Sequence, residues 1–81
     1  MQNERTTNMT TIRLQSIGLT KGTEAGNLKK GDVTVWNFGF TETVLEIIKE
    51  TPKTIVLKIQ SDDSGNTHER RLNKNRIVGI K

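Results

Sequence analysis

The sequence predicts an all-β fold, a single small five-stranded barrel behind a flexible N-terminal leader, and three observations carry that expectation. Residues 54–60 alternate, with Ile55, Leu57 and Ile59 on one face and Lys58, Gln60 and a partly covered Val56 on the other. Residues 41–50 are rich in Thr, Val and Ile, which lose side-chain freedom in a helix and fit a pleated strand. Turn signals containing Gly, Pro, Asp or Asn separate these runs at 28–32, 50–53 and 61–66.

Eighty-one residues allow one core, and a chain this short buries only about 60% of the surface that its unfolded form exposes. There is no cysteine, so neither a disulfide nor a thiolate metal site supplements that core. The same absence fits a reducing compartment. With no apolar run near the length of a membrane span and no secretory leader, the expected location is the cytoplasm.

Residues 1–10 are polar, without apolar spacing, and read as the leader; the remaining 11–81 form the domain, with the barrel strands starting near 32. Ile12 and Leu14 alternate with Arg13 and Gln15, and Ile17 follows one step out of phase, which suggests a short extra strand ending at Gly18. Residues 20–27 have Gly, Thr and Asn but no periodicity, and read as a loop. At Gly31 and Asp32 a turn launches a strand to Trp36, with Val33 and Val35 facing inward and Thr34 and Trp36 on the other face. Residues 41–50 admit an amphipathic helix or a long strand; β-branching favours the strand, bulged where the apolar phase shifts from Val44 to Leu45 or from Ile47 to Ile48. Pro52 marks a turn, and Gly65 offers a left-handed position in the hairpin that joins 54–60 to 67–72. A single helical turn at 73–75 leads into a last strand at 76–80. The expected interior is Val33, Val35, Leu45, Ile47, Ile55, Leu57, Ile59, Leu72, Val78 and Ile80.

The Leu28-Lys29-Lys30-Gly31-Asp32 turn, the long second strand, the two hairpins and the Asn73-Lys74-Asn75-Arg76 turn before a short last strand together resemble the SH3-like barrels, including the KOW, Tudor and Sm-type variants. The resemblance covers residues 28–80. Small size, a polar leader and a basic end also resemble accessory proteins of phages and other mobile elements. Such barrels host nucleic-acid, peptide and purely structural roles, so the resemblance implies a binding domain without choosing its partner.

Two features suggest contact with a partner. Trp36, Phe38 and Phe40, all the aromatic residues in the chain, fall within five positions. If the chain stays extended they share a face and form a stacking platform; if Asn37 and Gly39 make a tight hairpin turn, Trp36 caps the open end of the barrel with one Phe folded beneath it, and Phe38 and Phe40 flanking Gly39 keep the claim to outward contact. The second feature is charge. Residues 1–50 carry six basic and six acidic groups and residues 51–67 two of each, so the whole net charge of +4 lies in 68–81. There Arg70, Arg71, Lys74 and Arg76, joined by Lys29 and Lys30 from the first turn, are candidates for phosphate contacts or for an acidic protein surface.

The expected function is therefore a non-catalytic binding domain for DNA or RNA. The alternative is a protein-interaction module such as a phage-type inhibitor of a host protein, and the Ile12 strand or the aromatics also allow self-association. A lone His68 without partner residues at useful spacing is a poor metal ligand or general base, and Asp62-Asp63-Ser64 lacks the spacing of a calcium loop. No cofactor is expected.

Overall fold

A computed structural model describes residues 10–81, so residues 1–9 of the expected leader at 1–10 lie outside the described residues, and Thr10 belongs to a strand rather than to the leader. Seven strands form one antiparallel sheet: β1 (Thr10–Leu14), β2 (Gly18–Glu24), β3 (Val33–Val35), β4 (Thr41–Glu50), β5 (Thr54–Ser61), β6 (Thr67–Asn73) and β7 (Ile77–Ile80). Their order across the sheet is β1-β2-β7-β3-β4-β5-β6. β1 and β6 are the edges, and among the described residues no ladder joins them, so the sheet is not closed into a hydrogen-bonded barrel.

The largest departure from the sequence reading is β2, which occupies most of the expected loop at 20–27. Its glycine is explained by crowding rather than by a turn. Gly22 lies opposite Gly79 of β7, and a Cβ on Gly22 would stand 3.0 Å from Ile77 Cγ2 and 3.1 Å from the Val78 carbonyl oxygen. Only the end of the segment leaves the sheet, in a single 3-10 turn at Ala25–Asn27. That turn is tied to the other end of the chain, because the Ala25 and Gly26 amides donate to the carbonyls of Arg76 (2.8 Å) and Lys74 (2.9 Å). Ala25 and Leu28 are thereby buried against the core.

β3 carries a second correction. Thr34, not its valine neighbours, points inward and is fully buried, while Val33 and Val35 are half-buried. A buried hydroxyl is tolerated when it is hydrogen-bonded, and Thr34 Oγ1 accepts from the Trp36 indole N–H (2.9 Å) and lies 3.3 Å from the Glu42 carbonyl to which it donates. Trp36, in phase with Thr34, packs on the core. The inward phase of β3 is thus set by the indole.

The long strand at 41–50 is present, and it is irregular where expected: the β4–β5 register shifts between Val44 and Glu46 and again between Ile47 and Lys49. Val44, in phase with the buried Glu42, lies in the core, whereas Leu45, at the first register shift, is half-buried and Ile47 is exposed rather than interior. The β5–β6 hairpin pairs Ile55 with Leu72, and Gly65 takes φ +76° in its turn. Residues 74–75 form a two-residue turn closed by the Arg76 amide on the Asn73 carbonyl (3.1 Å), not a helical turn. The core that results consists of Ala25, Leu28, Val44, Ile55, Leu57, Ile59, Leu72 and Val78, with Trp36 and Ile80 packed against it.

β7 is the crowded centre of the sheet. A Cβ on Gly79 would lie 2.8 Å from the Val35 carbonyl oxygen on one side and 3.2 Å from Thr20 Cγ2 on the other. Both strands flanking β7 are fixed by their own ladders. Gly79→Ala is therefore expected to destabilise the fold by about 1–3 kcal/mol, the usual range for an overpacked methyl, measured as a fall in the urea midpoint at unchanged slope.

Candidate binding surface

The sheet curls enough that β6 reaches across the interior to β3 and β4. Arg70 lies in the same phase as the buried Leu72, so its side chain enters the concave face. There its Nε and Nη2 donate to the two carboxylate oxygens of Glu42 at 3.0 and 2.8 Å, and its guanidinium stacks 4.3 Å above the Trp36 ring centroid. His68 Nε2 stands 3.5 Å from the same carboxylate. Arg76, in the turn before β7, approaches the Trp36 ring at 5.6 Å. Glu42 is the residue that sequence reasoning missed. Its signal was available, since it shares a strand phase with Val44, and an acid in a buried phase requires a cation.

Trp36 is thus a half-buried cap whose ring already carries one guanidinium. Arg71 points to the opposite face from Arg70, as two successive strand residues must, and is exposed. Lys74 Nζ pairs with Glu50 at 2.7 Å, and Lys29 Nζ lies 3.6 Å from Asp32. Among the described residues, Lys30, Arg71 and Arg76 have no carboxylate partner within salt-bridge distance. The fold brings Trp36, Arg70 and Arg76 together. Lys74 instead lines a shallow recess with Pro52, Lys53, Asn73 and Asn75.

Phe38 and Phe40 are 61% and 57% exposed, and they stand on a turn that the rest of the chain holds in place. Phe38 adopts φ +66°, a left-handed conformation that is an outlier for a bulky side chain. It is locked there by the β1–β2 turn. The Phe38 amide donates to the Gln15 carbonyl (2.8 Å), and the Gln15 amide donates to Asn37 Oδ1 (2.9 Å). Ile17, the residue one step out of phase in the sequence, covers Gly39, where an added Cβ would lie 3.1 Å from its Cδ1. Ile17, Phe38 and Phe40 therefore form one exposed apolar tip. Beside it, Phe38, Gly39, Phe40 and Thr41 share a recess with Asp62 and Asp63, and among the described residues no Lys or Arg lines it.

Among the described residues there is no group of three or more His, Asp or Glu side chains able to hold a metal ion, and no helix is long and apolar enough to cross a membrane. Comparison with protein-family models, with curated proteins and with solved structures found no match to this chain.

Proposed function

We propose that this chain is a non-catalytic binding domain whose contact surface is the apolar tip of Ile17, Phe38 and Phe40, and that its partner is a protein. The observation that carries this reading is the locked turn itself: two phenylalanines are held in solvent, one of them in a left-handed backbone conformation. A fold under selection for stability alone would place Gly or Asn there, because L residues in that region cost roughly 1–2 kcal/mol. Such stored strain is concentrated at functional surfaces. Phe and other aromatic residues are also the usual anchors of protein interfaces. An inhibitor of a host protein is one form that this function takes.

The SH3-like reading accompanies it. β7 returns beside β3, and β3 to β6 follow in sequence order, which is the arrangement a five-stranded barrel unit requires, with β1 and β2 added along the free side of β7.

Nucleic acid is the second reading, and a different set of residues favours it. Lys53, Asn73, Lys74 and Asn75 share one recess next to Arg76, and Arg71 is exposed on the neighbouring strand. Two double variants separate the two readings. Phe38→Ala/Phe40→Ala is expected to abolish capture of a protein partner from lysate, while nuclease treatment and Arg71→Ala/Arg76→Ala leave capture unchanged. Salt-sensitive binding of labelled DNA or RNA that is lost only in the arginine variant would reverse the assignment. Phe38→Gly adds an independent check: relief of the left-handed strain is expected to raise stability by about 0.5–1 kcal/mol while capture is lost.

A further inference from the structure

We infer that the recess beside Phe38 and Phe40 takes a cationic peptide segment, with an apolar side chain against the two rings and an adjacent Lys or Arg facing Asp62 and Asp63. This rests on the protein-binding reading and adds the chemistry of the partner. The recess measures about 390 Å³, room for one large side chain and part of a second. Its charge is of one sign. Phe38, Gly39, Phe40 and Thr41 supply its apolar wall and backbone, and among the described residues Asp62 and Asp63 are its ionisable groups, although the chain as a whole carries +4.

The acidic side is built. Asp62 accepts hydrogen bonds from the Thr43 hydroxyl on Oδ1 and the Thr41 hydroxyl on Oδ2, both at 2.8 Å, and its amide donates to the Thr41 carbonyl at 3.1 Å. Two neutral donors orient this carboxylate without cancelling its charge. Among the described residues neither Asp62 nor Asp63 has a cationic partner. Aromatic faces attract cations through the ring quadrupole, so the exposed phenylalanines and the carboxylates favour the same ligand. A phosphate backbone or an acidic peptide would meet repulsion at this recess.

Panning a random dodecapeptide library on the folded chain, with depletion on the Phe38→Ala/Phe40→Ala variant, tests the assignment. The expected pool is enriched in Lys or Arg next to an apolar residue, binds more weakly as salt rises, and loses about tenfold in affinity on Asp63→Lys. Asp63 makes no hydrogen bond among the described residues, so this variant should keep the wild-type amide spectrum. A pool that depends on the two phenylalanines but has no basic enrichment overturns the partner class and leaves the binding surface standing. A pool emptied by the depletion step, or no sequence above background, overturns both. A concentration-dependent dimer that Asp63→Lys dissolves would assign the recess to a second copy of the chain and overturn the peptide assignment.

Discussion

Ile55→Ala is expected to leave little folded protein, whereas Ile47→Ala, eight residues earlier on the adjacent strand, should be close to neutral. The sequence pattern treats both isoleucines as interior, but their exposures are 0% and 39%. Ile55 lies on β5, which is hydrogen-bonded on both sides, opposite Glu50 of β4 and Leu72 of β6. Neither neighbour can move inward to fill the space without breaking a ladder. Removing three carbons there should cost about 2–5 kcal/mol, in the upper half of that range because the site cannot collapse. At roughly 0.05–0.15 kcal/mol per residue the whole chain has about 4–12 kcal/mol to lose. With a urea slope of about 1 kcal/mol/M, a loss of about 4 kcal/mol moves the midpoint by about 4 M, enough to unfold a modestly stable domain in buffer. Ile47→Ala should shift it by less than about 0.5 M, since exposed substitutions stay within about 0.5 kcal/mol. Equal shifts in the two variants would mean that Ile47 contributes to the core despite its exposure.

The contrast between those two residues shows where the sequence was informative. The β5–β6 hairpin, the strand character of 41–50, both of its bulges and the left-handed turns at Gly31 and Gly65 follow from local chemistry, and all are present. Alternation, β-branching and glycine are properties of neighbouring residues, so a single chain displays them. β2 could not be read in that way. Its Gly22 answers to Gly79 at the far end of the chain, and a glycine required by a strand crossing is indistinguishable in sequence from one required by a loop. The inward face of β3 was misread for a related reason. Thr34 is buried because a tryptophan two residues on and a glutamate on the next strand satisfy its hydroxyl. At the candidate surface, the tight turn with Trp36 as a cap was one of two arrangements open from sequence. The acidic residues beside Phe40 were not foreseen, because a hairpin turn twenty-two residues later supplies them.

Arg70→Ala should destabilise the protein more than Glu42→Ala, although the two substitutions break the same ion pair. The difference lies in what each leaves behind. Glu42 has a side chain 10% exposed, so without Arg70 its carboxylate stays in the concave face with only His68 Nε2 nearby, at 3.5 Å. An uncompensated buried charge typically costs about 3–5 kcal/mol. Arg70 is 31% exposed and has a long flexible stem, so after loss of Glu42 its guanidinium can turn to water, and about 1–2 kcal/mol is expected instead. Arg70→Ala also uncovers the face of Trp36, forfeiting a stacking contact worth about 0.5–1 kcal/mol and opening the indole to quenchers. The measurement is a urea titration of both single variants and of Glu42→Leu/Arg70→Met, followed by tryptophan fluorescence. The double variant should recover most of the loss of Arg70→Ala, since an apolar pair of similar volume needs no desolvated charges. If Glu42→Ala instead proves the costlier change, the guanidinium is held in place by something stronger than the carboxylate, and the stack on Trp36 becomes the main restraint on β6.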